Sequence, residues 1–563
     1  MKNQLLTNLF VILLLCVICQ NGLISQVSQQ WVRYYNSPTN GSDNAKAIFI
    51  DNNGNIYVTG TSWSNITNND FATVKYNSSG VQQWVARFDS ENRNDDVRGI
   101  TVDTNGNVYV TGVTSISGSS VIQFTIKYNS SGIQQWAAQL GIPTSPAFPG
   151  ISKSPIAVDN SGNVYVGGYR RFGGGDNGGY LLIKYNSNGD SLWTKRYKGT
   201  QSLQGLGSTI TCIKLDENFV YATGVSYDAP NICYATTLKY NSSGILNWIR
   251  KDTLQQGGLV VGIEMDASKN ILLACNKGLD IVTLKYDPSG ARLWKTIYTG
   301  ISGDFYDKVT GIDLDPSGNV YLSGYSTRGT TTSTQDCLTL KYDANGNQLW
   351  ERLYNGALSS GDEGKGITVD ESGNAYVTGF SLETGFRLDY LTIKYNSDGV
   401  QQWMINYNGG NNENDDVATA IALDQDDNII VTGNSSISGG SIDYGTIKYS
   451  QTVGINQISS QIPNEYSLSQ NYPNPFNPVT NFEFEIPASQ GESKLGLVAL
   501  KIYDMLGKEV ATLVNANLNP GTYKYNFDAS GLTSGIYFYR IAIHSDKLET
   551  EIYSATKKML LVK

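Results

Sequence analysis

The chain has 563 residues, of which only 16% are charged, with 59 Gly, 36 Tyr and a formal net charge of −9. Few charges among many aromatic residues and glycines suit short strands and tight turns, not long helices or a disordered polymer. No basic tract able to neutralise phosphates is present, which argues against a nucleic-acid partner.

Residues 1–25 read as a secretory signal peptide. Lys2 supplies the positive end, and the apolar run LFVILLLCVI (9–18) is too short to span a bilayer. Cys16 and Cys19 fall in this segment, preceded by Leu15 and Ile18 where a lipoprotein signal would carry small residues. No transmembrane segment is expected once it is removed.

From residue 28 to 450 one string keeps returning. D-x-x-G-N-x-Y-V-x-G starts at Asp51, Asp103, Asp159, Asp216, Asp266, Asp315, Asp370 and Asp424, at spacings of 49 to 57 residues. The fourth and fifth copies are degraded. Each period carries four strand signals: an apolar run such as KAIFID, the N-x-Y-V-x-G segment, a segment ending in K-Y, and a Trp strand such as VQQWVARF. Strands 1 and 2, and strands 3 and 4, are joined by short N/D-x-x-G turns, in which Asp or Asn accepts a backbone N–H and Gly takes a positive φ. Four antiparallel strands repeated radially predict a β-propeller. The Trp strands, at Trp84, Trp136, Trp193, Trp248, Trp294, Trp350 and Trp403, are one fewer than the motifs. An orphan copy, QQWVRYY, lies at 29–35. The all-β expectation is therefore an eight-bladed propeller of four-stranded blades, with the N-terminal strand completing the last blade so that no sheet edge stays open.

The two turn-bearing intervals are short and constant, whereas the 2–3 and 4–1 connections carry the length variation. All variable loops then share one face, the usual place for binding on a rigid scaffold. Acids collect there. Asp43, Asp95, Asp96, Asp304, Asp307, Asp362, Glu363, Asp415 and Asp416 precede first strands; Asp70, Asp280, Asp336, Asp389 and Asp443 precede third strands. Such a ring could hold Ca²⁺, a cationic group or a sugar, or each Asp could fix its loop by accepting backbone N–H bonds. The structural role is the expected one, and no cofactor is otherwise expected. The repeated tryptophans are expected in the core. Trp63, in a variable connection without counterparts, is the tryptophan expected to meet a ligand. Cys212, Cys233, Cys275 and Cys337 are irregularly spaced and expected as buried strand residues; Cys212–Cys233 is the one pair worth testing as a disulfide. The only histidine, His544, lies outside the repeats, so His-based chemistry is excluded from the array. A carboxylate-pair hydrolase is the enzymatic alternative.

Residues 451–465 read as a linker, and 466–563 as an Ig-like sandwich of six or seven strands. The repeat array, on D-x-x-G-N-x-Y-V-T-G and K-Y-N-x-x-G-x-x-x-W, resembles the secreted β-propeller repeat family. That family is usually described as seven-bladed, and the count of eight departs from it. The C-terminal segment resembles the type A C-terminal sorting domain of the type IX secretion system of Bacteroidota. The resemblance rests on LSQNYPNPFNP (468–478), IYDMLGKEVATLV (502–514), GTYKYNFDASGLTSGIYFYRI (521–541) and TKKMLLVK (556–563). It assigns sorting roles to Tyr472, Pro473, Asn474, Pro475, Phe476, Asn477, Pro478, Gly507, Gly535, Lys557 and Lys558. It implies Sec export, then passage through the type IX translocon to the cell surface or medium. The function expected is a non-enzymatic binding or adhesion protein for a protein or polysaccharide ligand. The alternatives are a secreted carbohydrate-active hydrolase and a structural surface-layer component.

Overall fold

A computed structural model describes residues 26–117, 120–144, 155–170, 179–198, 208–229, 232–255, 257–300, 306–327, 335–356, 358, 361–383, 387–409, 415–436, 441–452, 455–459, 462–487, 497–518, 520–529, 532–544 and 551–563. The signal peptide and Asp304 lie outside them. The chain is all-β and forms two compact units, one of Gln29–Lys448 and one containing Tyr449–Lys563. No helix among the described residues is long and apolar enough to cross a membrane.

The repeat itself explains the local structure. In the first copy, Asp51 Oδ1 accepts the backbone N–H groups of Asn53 and Asn55, both at 2.9 Å. Its Oδ2 accepts Asn55 Nδ2 at 2.8 Å and the Tyr57 hydroxyl at 3.0 Å. Gly54, at φ +72°, closes the turn onto the Asp51 carbonyl. Asp, Gly, Asn and Tyr are thus four parts of one hairpin device. The same bonds recur at Asp103, Asp315 and Asp370. In the fourth copy the turn is one residue shorter: Asp216 N bonds the Phe219 carbonyl, where Asp51 N reaches Asn55.

The outcome is a propeller-type series of four-stranded antiparallel sheets. Sheet 1 runs Asp43–Ile50, Ile56–Ser64, Asn68–Tyr76, Gln82–Phe88. Sheets 2 to 7 repeat this order over residues 95–144, 156–197, 209–254, 259–298, 307–354 and 363–407. Sheet 8 takes three strands from the end of the series, Val417–Leu423, Ile429–Ser436 and Ile442–Thr452. Its fourth is Gln26–Tyr35, hydrogen-bonded to Ile442–Thr452. First strands of successive sheets touch, and that of sheet 8 touches that of sheet 1. There Thr419 Oγ1 donates to the Ala45 carbonyl at 3.0 Å.

The core lies between neighbouring sheets. Tyr57 and Phe71 of sheet 1 pack with Val97, Val108 and Ile126 of sheet 2. Trp31, Tyr35, Ile430 and Tyr444 of sheet 8 pack with Ala45, Val58, Val74 and Tyr76 of sheet 1. Seven of the eight seams carry the same polar stitch: a third-strand Lys and a fourth-strand Trp donate to one carbonyl in the next sheet's 3–4 turn. Lys75 and Trp84 reach Ser130 O, and Lys127 and Trp136 reach Ser187 O. At the last seam Lys448 and Trp31 reach Ser78 O, at 3.3 and 3.4 Å. Trp31 therefore fills the place left empty after Lys448. The turn glycine, Gly80 at φ +77°, is required twice over, because a Cβ there would stand 2.6 Å from the Trp31 ring. Trp403 is the exception: its Nε1 is buried without a hydrogen-bond partner. The turn that would supply the acceptor does not exist, since the strand after Lys448 runs on to Thr452.

Cys212, Cys233, Cys275 and Cys337 are buried strand residues, as expected, and none of them is in a disulfide. Cys212 is on the first strand of sheet 4 and Cys233 on the third, with the second between them, so that pair is not bridged.

In the second unit two four-stranded antiparallel sheets enclose one core, including Phe476, Phe482, Leu500, Tyr539 and Met559. Part of the expected linker belongs here. Ile455–Ser459 is a strand paired with Gly521–Asp528. Its alternation was too short to be read as a strand in a polar stretch.

Candidate functional site

The face of the variable connections is where the sequence places ligand-binding residues. Trp63 sits at the end of the second strand of sheet 1, 39% exposed, and Ile66 at the following turn is 77% exposed. The ring of Trp63 packs over Gly41, where a Cβ would meet it at 2.2 Å, and the Trp63 backbone N–H bonds the Ser42 carbonyl. The indole thus rests on Gly41 while the residue stays partly in water.

The acids behave differently. Asp43, Asp70, Asp95, Asp307, Asp336, Asp362, Asp416 and Asp443 are all buried. Half of them are loop anchors. Asp43 accepts Ser37 N at 2.6 Å, Asp95 accepts Ser90 N at 3.0 Å, Asp362 accepts Gly356 N at 2.7 Å, and Asp416 accepts Gly409 N at 2.8 Å. These four carboxylates turn inward onto loop amides, the structural role expected of them. Asp96 is partly exposed and pairs with Lys46 and Arg98. Asp415 is exposed and accepts Leu388 N at 3.0 Å. Asp389 is half-buried and accepts the Asn408 amide at 3.1 Å.

The tertiary structure adds a pairing that spacing does not reveal. The third-strand acid of one sheet faces the first-strand acid of the next. Burial lifts the Asp95 carboxyl to about 6 against hydrogen bonds from Thr114 and Ser90, and Asp70 adds to the rise. Burial lifts Asp307 to about 6, with Asp280 adding to the effect against a Ser326 bond. Burial and then Asp43 lift Asp443 to about 6. Burial raises Asp389 against the Asn408 bond, and Asp416 raises it further. Desolvation and a like charge act together at these four seams. At the sheet 1–2 seam, oxygens of Asp70, Asp89 and Asp95 all lie within 4.8 Å of one another. Arg87 forms an ion pair with Asp70 there at 2.7 Å.

A second acidic place escaped the sequence reading. A cavity of about 540 Å³ lies among first strands, walled by Ile48, Ile50, Ile312, Ile367, Ile421 and Leu423. Glu264, Asp313, Asp370, Glu371 and Asp427 also line it. Burial lifts Asp313 to about 6, aided by Glu264. The signal was present: acids at 264 and 313 stand where Phe49, Thr101 and Ala422 occupy other repeats.

The sorting residues form a clamp on the last strand, Glu551–Leu561. Phe476 is buried, its N–H bonds Leu560 O at 3.0 Å, and its carbonyl accepts Val562 N at 2.9 Å. Asn474 Oδ1 accepts Leu560 N at 2.9 Å. Tyr472, Pro473, Pro475 and Asn477 are exposed, and Pro478 is partly so. The peptide bonds before Pro473 and Pro475 are cis. Gly507, at φ +78°, closes the turn that begins at Asp504, and Gly535 opens the strand paired with Leu561. Lys558 is exposed and Lys557 partly so.

Residues 470–554 match the secretion system C-terminal sorting domain, and residues 30–67, 83–118 and 352–387 match the beta-propeller repeat. One relative, an uncharacterized WD repeat-containing protein of Acanthamoeba polyphaga mimivirus, is 23% identical over 450 residues; these cover 64% of this chain and 31% of that protein. The chain thus spans about a third of that relative's length. Among solved structures, a protein of unknown function from Bacteroides caccae is 12% identical, covering 55% of this chain and 96% of its own, with a TM-score of 0.30. The polysaccharide lyase Uly1 is 10% identical, covering 63% and 89%, with a TM-score of 0.38. Puromycin hydrolase, as its S511A mutant, is 10% identical, covering 71% and 60%, with a TM-score of 0.40. Likeness of that degree carries no chemistry across. The chain carries beta-propeller repeats followed by a type IX secretion C-terminal sorting domain, and so is a protein exported to the cell surface or medium.

Proposed function

We propose that the chain is an exported, non-enzymatic binding protein: an eight-bladed propeller followed by an Ig-like sorting domain, which takes a protein or polysaccharide ligand on its variable-loop face. The observation that carries this reading is the exposed Trp63–Ile66 hairpin tip, an aromatic and an aliphatic side chain offered to water on the first sheet. A flat, partly exposed indole resting on Gly41 suits stacking on a sugar ring or an apolar protein surface. The non-enzymatic part is supported by the use of the buried acids as backbone anchors and by the position of His544 in the second unit. Eight blades are supported by the eight sheets and by the contact between the first strands of the last and first. The test is a glycan and protein-binding array with the mature chain and its Trp63→Ala and Ile66→Ser variants. Binding weakened at least about tenfold by either change supports the reading, and binding indifferent to both refutes it. Release of product from any retained glycan would refute the non-enzymatic part.

A further inference from the structure

We infer that the seam between sheets 1 and 2 holds one divalent cation of the calcium type, bound by Asp70, Asp89 and Asp95 with Ser90 as a fourth oxygen donor. The inference is independent of what the Trp63 face binds.

Geometry comes first. One oxygen from each of the three carboxylates lies within 4.8 Å of the others. Oxygens held about 2.4 Å from a common ion stand no farther apart than that. The donors are hard oxygens without histidine or thiolate, which favours Ca²⁺ over zinc or copper. Charge agrees: three carboxylates against the single Arg87 guanidinium leave two negative charges to be matched.

Asp70 is more than nine-tenths buried, and its Oδ1 is without a hydrogen-bond partner, while Oδ2 takes Arg87 and Thr67. The buried Ser90 hydroxyl lies within hydrogen-bonding reach of Asp95, whose carboxylate also accepts Ser90 N. Leaving a buried oxygen unmatched costs about 1–3 kcal/mol, and a coordinated cation would satisfy Asp70 Oδ1.

The other seams show why this one differs. Five residues after the outer-strand tryptophan stand Asn36, Asn355 and Asn408 in three sheets and Gly141, Lys198, Thr253 and Thr299 in four; sheet 1 alone carries an acid there, Asp89. At the sheet 7–8 seam the Asn408 amide donates to Asp389 while Gly409 N donates to Asp416, so the acid pair is served from within the chain. Asp89 offers no such donor and adds a third negative charge. The exposed Asp89 also leaves a route of entry for an ion.

The test uses the mature chain stripped with chelator. Calcium is titrated by calorimetry, and terbium luminescence reports the same site. One ion per chain is expected, with a dissociation constant below about 1 mM, as in extracellular calcium modules. Asp89→Asn installs the donor used at the sheet 7–8 seam. This variant is expected to fold, to keep or raise the calcium-free melting temperature, and to bind at least about tenfold more weakly. Asp280→Asn, at a two-acid seam, should bind like the parent. No binding up to about 10 mM, or binding unchanged by Asp89→Asn, would overturn the inference.

Discussion

Trp31→Ala tests ring closure most directly. Trp31 is 9% exposed, lies against Gly80 of the next sheet, and sits 6.3 Å from the Tyr76 ring, centroid to centroid. Its Nε1 donates to Ser78 O, and the Arg33 guanidinium lies 5.6 Å from the ring centroid. Deleting a core tryptophan removes its transfer free energy and leaves a cavity, together about 3–5 kcal/mol. Trp63, 39% exposed, should cost under about 1 kcal/mol on the same change. Guanidinium unfolding followed by far-ultraviolet circular dichroism reads both variants without relying on tryptophan emission. Trp31 is more than forty positions ahead of its Ser78 acceptor and about 400 from the strands it completes, so a large effect requires the sheet 8–1 seam to exist in solution. A Trp31→Ala chain within about 0.5 kcal/mol of the parent, or one less affected than Trp63→Ala, would refute the placement of Gln26–Tyr35.

Asp307 and Asp443 are lifted to about 6 from an ordinary 3.8, so the folded chain holds protons that the unfolded chain has released. Their stabilising contribution is complete below about pH 4 and is lost as pH rises through about 6. Calcium-free chain should therefore unfold at higher denaturant at pH 5 than at pH 7; a fall over that interval would contradict the buried pairs. The four cysteines are buried, and burial lifts Cys233 to about 11. Ellman's reagent should find no reactive thiol in native mature chain and four after denaturation, and rapid native labelling would count against these positions. Phe476→Ala should destabilise the second unit by about 3–5 kcal/mol and reduce the exported fraction, read by fractionating cells; Lys558→Ala, at an exposed position, should leave stability unchanged.

What the sequence determined by itself is whatever closes within a few residues. Asp51, Gly54, Asn55 and Tyr57 complete their bonds inside seven positions, so the motif spells its own hairpin wherever it occurs. Counting tryptophans against motifs was enough to predict that the N-terminal strand pairs beside Ile442–Thr452. The sorting segment was legible because its motif residues are consecutive. Only the tertiary structure decided which acids face water. Asp415 and Asp416 are neighbours in the chain, yet one is exposed and the other buried. It also decided which acids meet. Asp70 and Asp95 belong to different repeats, and only the packing of one sheet on the next brings their charges together out of water. Bonding within a turn is set by the covalent reach of a few residues. Burial and like-charge contact depend on chain segments brought together from far apart, and no local pattern encodes them.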